Sequence, residues 1–126
     1  MVKQMQRARV FQEEIKENGT SFLALRLETK NADLVLFSEG EDRLGTLAVA
    51  VPQREKMLGP PTSSILLGDR NIIVARLLAE RLAEKTGKLA LASVFVKTKA
   101  EKDVAPIFIK LFDKTLAAKE EGEKKE

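Results

Sequence analysis

Three short runs in this 126-residue chain, Leu34–Phe37, Leu47–Val51 and Leu89–Val96, are apolar at odd and even positions alike. A strand sends successive side chains to opposite faces, so such runs belong to a sheet covered on both sides. Cover within the chain is scarce, because only two segments have helical periodicity. The first, Arg70–Lys85, puts Val74, Ala75, Leu78, Ala79 and Leu82 on one stripe and Arg76, Glu80, Arg81 and Glu84 on the other. The second starts near Asp103 and carries Val104, Ile107, Phe108, Leu111, Phe112 and Leu116. Two helices side by side, at about 10 Å each, cover about one face of a six-stranded sheet. The predicted fold is therefore α+β: a single, largely antiparallel sheet of about six strands with two helices packed on one face. The open face is expected to pair with a second copy in an isologous dimer. Helices that straddle the sheet, leaving nothing uncovered, are the alternative.

The remaining strands follow from turn chemistry. Arg9–Glu17 reads as an edge strand, and Asn18-Gly19 is the dipeptide that closes tight hairpins. The next strand sets Leu23, Leu25 and Leu27 on one face and Arg26 and Glu28 on the other. Polar turns at Lys30–Asp33 and Glu39–Asp42 separate it from Leu34–Phe37 and Thr46–Val51, so four strands are predicted in meander order. Pro52–Ser64 is a long loop, Ser64–Leu67 a short strand, and Asp69 the expected N-cap of the first helix. Asp103 is the expected cap of the second, with Pro106 inside its first turn. One domain is expected over 1–116, followed by a charged, frayed tail over 117–126.

Composition narrows the chemistry. The chain has no Cys and no His, which removes thiolate and imidazole catalysis, disulfides and the usual zinc and copper sites. Asp33, Glu39, Glu41 and Asp42 lack the spacing of a calcium loop, and Thr62, Ser63 and Ser64 lack a nucleophile elbow. Gly68-Asp69 has neither the further glycines nor the Lys of a phosphate loop. No catalytic residue, metal or cofactor is assigned, and no small-molecule substrate. The 22 Lys and Arg exceed the 19 Asp and Glu by only three, and Trp and Tyr are absent, so base-stacking platforms are poorly supplied and no nucleic acid is expected. No apolar run reaches the length of a membrane span; a cytoplasmic protein without a membrane role is expected. The abundance of Glu, Lys and Arg would suit a thermophile.

The blocks around Leu47–Val51 (LAVAV), Ser64–Asp69 (within SSILLGD) and Leu78–Gly87 (within LLAERLAEKTGK) stand in order along the chain. They resemble the proteasome assembly chaperone family, most closely its fourth eukaryotic member, and suggest an archaeal-type homologue. The resemblance runs from Leu23 to about Leu116. It implies a sheet with helices on one side, paired through its open face, that binds α-type subunits of the 20S proteasome without ATP and assists assembly of the α-ring. A homodimer would replace the eukaryotic heterodimer. For client contact the expected residues are Arg54, Lys56, Met57 and Leu58 in the long loop, where Pro60 and Pro61 limit the entropy lost on binding. For the dimer interface they are Ala48, Ala50, Ala90 and Ala92, small residues that admit an opposing sheet or, equally, make room for the first helix. A non-catalytic homodimeric scaffold for another complex is the alternative function.

Overall fold

The computed structural model describes residues 7–53 and 62–125, with side chains through Ala117. Its elements are β1 (Arg9–Glu17), β2 (Thr20–Glu28), β3 (Ala32–Glu39), β4 (Thr46–Val51), β5 (Thr62–Leu67), α1 (Ile72–Thr86), β6 (Leu89–Phe95) and α2 (Glu101–Lys125). The six strands form one sheet in the order β1-β2-β3-β6-β4-β5. Four pairings are antiparallel, and only β3 with β6 is parallel. The fold is α+β, as the two-faced runs require.

The β1–β2 hairpin closes at Asn18 and Gly19, with φ of 51° and 81°. Both values lie in the left-handed region that a type I′ turn demands, which is why Asn-Gly stands there. The meander ends at β3. β4 does not pair with β3, because β6 is inserted between them. The β3–β4 connection must therefore cross the end of β6, and Gly45 makes that crossing possible: a Cβ there would lie 2.1 Å from the Val94 carbonyl oxygen. Its N–H donates to Ser93 Oγ at 2.7 Å, so the serine hydroxyl on β6 fastens the chain passing over it.

Both helices lie on the same face of the sheet, which rules out the straddling arrangement. α1 covers β4, β5 and β6, and α2 covers β1 and β2. Val74, Ala75, Leu78, Ala79 and Leu82 are all buried, as the stripe predicts. On α2, Val104, Phe108, Leu111 and Phe112 are buried, and Phe108 meets Phe22 edge-on with ring centroids 6.0 Å apart.

The helix starts differ from expectation. The N-cap of α1 is Asn71, in the left-handed region with φ 59° and no side-chain cap bond. Asp69 is not the cap. Instead Glu101, at the start of α2, accepts from the Val74 N–H at 2.6 Å, so the carboxylate that satisfies this helix end comes from the neighbouring helix. α2 starts two residues before Asp103, which places Pro106 beyond its first turn. α2 also continues through Lys125, where a frayed tail was expected from Ala117. Ala, Lys and Glu dominate that stretch and are strong helix formers.

Candidate interaction face

The strand register sorts side chains into two sets. Phe22, Ala24, Val35, Phe37, Ala48, Ala50, Ala90, Ala92 and Val94 face the helices and form the core. The alternate positions face away from them, where neither helix lies. Val10 pairs with Leu27, Leu27 with Leu34, Leu34 with Leu91 and Leu91 with Val49, an aliphatic row across five strands. The adjacent row runs Gln12, Leu25, Leu36, Ser93, Leu47, Leu67. Val10, Val51 and Leu67 are exposed at 59%, 55% and 46%.

One end of this face is closed by the chain itself. Ser38 Oγ accepts from the Arg43 N–H at 3.1 Å and donates to the Arg43 carbonyl at 3.2 Å. With the Gly45–Ser93 bond, these contacts fold the β3–β4 connection over the polar positions of the face and bury both serines completely. The Arg43 guanidinium lies 5.4 Å from the centre of the Phe95 ring, on the same end. Hydrogen bonds from Arg43 hold the exposed Glu41 carboxyl below its ordinary range, so it remains ionised beside the loop. What stays open on the central strands is aliphatic, and exposed polar residues lie on the edge strands, Gln12, Glu14 and Lys16 on β1 and Thr62 and Ser64 on β5.

The face measures about 29 by 20 Å from strand spacing and rise, just under 600 Å² per copy. Two copies would bury about 1,200 Å², the lower end of specific protein interfaces.

The four alanines sit elsewhere than a dimer interface requires. Ala48, Ala50, Ala90 and Ala92 are wholly buried on the covered face, beneath α1. Their small size lets the helix approach, and the surface open to a partner is made by the leucines and valines between them. Sequence periodicity could have found those residues: Leu23, Leu25 and Leu27 form a visibly clean stripe. Arg54, Lys56, Met57 and Leu58 lie outside the described residues.

The charged set opposite that stripe is the buried one. Arg26 is fully buried under the C-terminal part of α2, and Phe11 stacks 5.4 Å from its guanidinium. Arg26 donates to Asp33 Oδ2 at 2.7 Å and to the Thr115 carbonyl at 3.3 Å. Asp33 is equally buried, and Lys88 Nζ lies 3.2 Å from its other oxygen. Glu28 pairs with Arg9 at 3.0 Å. This cluster holds α2 on the sheet.

The other polar candidates are used structurally. Ser63 donates to the Glu80 carboxylate and accepts from Arg76 Nε at 3.0 Å, tying β5 to α1. Asp33 lies far along β3 from Glu39, which accepts from the Lys97 N–H at 2.9 Å. Among the described residues no group of three or more acidic side chains is placed to hold a metal ion. No described helix is long and apolar enough to cross a membrane.

No family model matches the sequence, and no curated protein does. The fold does have a solved counterpart: a chain from the crystal structure of a novel chaperone complex for yeast 20S proteasome assembly. It superposes with a TM-score of 0.68 over 91% of this chain and 97% of that one, at 12% sequence identity. At that identity the likeness is one of architecture: the chain shares the fold of a yeast proteasome assembly chaperone.

Proposed function

We propose that this chain is a non-catalytic assembly chaperone for the proteasome, acting without ATP as a homodimer on α-type subunits. The observation that carries this reading is an aliphatic sheet face left uncovered in a fold shared with a protein from a chaperone complex for 20S proteasome assembly. A monomer rarely leaves so large an apolar patch in water. A second copy supplies a cover of the right shape, because the same rows of leucine and valine meet across a twofold axis. The segment between β4 and β5, where Arg54 and Lys56 precede Met57 and Leu58, is the proposed client contact. Cations there steer an acidic surface, and the apolar pair anchors it.

The test is assembly itself. Purified α-type subunits mixed with the chain, with no nucleotide present, are expected to give a higher yield of seven-membered rings than subunits alone. The finished rings should not retain the chain. Equal yields with and without it, at concentrations where the dimer is intact, would move the protein to a scaffold role in another complex.

A further inference from the structure

A second surface lies where the start of β1 meets the β2–β3 turn and the start of β6. There Arg7, Arg9, Lys30 and Lys88 line a cleft of about 560 Å³, with Glu28 in its wall. Arg26 and Asp33 lie buried beside Glu28. Counting these together, five cations face two carboxylates, an excess of three. The other Lys and Arg of the chain are matched in number by its other Asp and Glu.

The two carboxylates are already shared. Asp33 binds Arg26 at 2.7 Å and Lys88 at 3.2 Å, and Glu28 binds Arg9 at 3.0 Å with Lys88 at 3.7 Å. Lys88 is oriented as well by donation to the Thr29 carbonyl at 2.8 Å. Arg7 and Lys30 are exposed at the mouth and make no ion pair with a described residue. The result is a mouth with unneutralised cations above a floor whose charges are fixed in place. Fixed charges lose little entropy on meeting a ligand.

We propose that this cleft binds a carboxylate-rich peptide segment of a partner protein. Guanidinium groups pair with carboxylates through two parallel hydrogen bonds, and a cleft of this volume admits a few side chains. A nucleic acid fits less well. No aromatic residue lines the cleft, and the nearby Phe11 ring already has the Arg9 and Arg26 guanidinium groups 5.9 and 5.4 Å from its centre. Base stacking therefore has no platform here. The site lies apart from the open aliphatic face, so it stands or falls independently of the chaperone reading.

The test uses the full chain and a fluorescently labelled peptide of repeated Glu and Ser, titrated at low salt. Arg7→Glu combined with Lys30→Glu is expected to weaken binding at least tenfold, since two surface pairs become two repulsions. A control, Arg70→Glu with Arg81→Glu, changes the net charge equally at exposed positions elsewhere and should change affinity less than about threefold. Equal losses in the two variants would overturn the proposal, as would no measurable binding by the unaltered chain. A labelled oligonucleotide of matched charge that bound more tightly through Arg7 and Lys30 would overturn the peptide assignment.

Discussion

Leu36→Asp is expected to convert a dimer into a monomer. Leu36 stands in the middle of the open face, between Leu25 on β2 and Ser93 on β6. In a lone chain its side chain reaches water, so a carboxylate there leaves the core untouched. In a sheet-on-sheet dimer the same carboxylate is buried against leucines with no partner donor, and the twofold axis buries two of them. Desolvating unpaired carboxylates costs several kcal/mol, which corresponds to association weakened by a hundredfold or more. Sedimentation velocity should show half the mass with an unchanged far-ultraviolet spectrum. Ile73→Asp, at an exposed aliphatic position on α1 across the sheet from the open face, is the matched control and should leave the mass alone. If Leu36→Asp kept the mass of the unaltered chain, the open face would not be the interface.

The second large effect is on stability. Asp33→Ala removes the carboxylate that faces Arg26, a guanidinium with no exposed surface and with its Nε lacking a hydrogen-bond partner among the described residues. Losing the carboxylate it donates to, with Glu28 left at 3.8 Å and already shared with Arg9 and Lys88, costs the buried Arg26 about 3–5 kcal/mol. For a domain of this size that lowers the melting temperature by about 10–20 °C. The double variant Arg26→Met with Asp33→Leu removes both charges and should recover most of the loss, because the pair's own desolvation offsets its attraction. All three proteins should be compared at one concentration, since a dimer's melting point depends on it. A loss below about 1 kcal/mol for Asp33→Ala would mean that water reaches Arg26.

These two residues also mark where sequence reading stops. The stripes of α1 and α2 were legible because each is a run of apolar residues at helical spacing, and the two-faced strands announced a sheet with too little cover. Alternation in β2 separates Leu23, Leu25 and Leu27 from Arg26 and Glu28 without saying which set the helices cover. Polarity alone suggests the leucines. The structure covers the charged set, because Asp33 from β3, Arg9 from β1 and Lys88 from the α1–β6 connection arrive to neutralise it. Such a cluster spans residues far apart in sequence and has no local signature.

The insertion of β6 between β3 and β4 was illegible for a related reason. A short connection usually joins neighbouring strands, and only the closeness of Gly45 to the Val94 carbonyl reveals a crossing. The alanines of β4 and β6 were recognisable as sites of close approach. Small size does not say whether the approaching element is a helix or a second sheet. Capping of α1 by Glu101 of α2 depends on how the two helices pack.

Native mass spectrometry of the chain, alone and mixed with α-type proteasome subunits from the same source, separates the chaperone from the scaffold. The expected species is a homodimer that gains α-type subunits while remaining a dimer. A monomer, or a dimer whose mass does not change when α-type subunits are added, would contradict the chaperone reading.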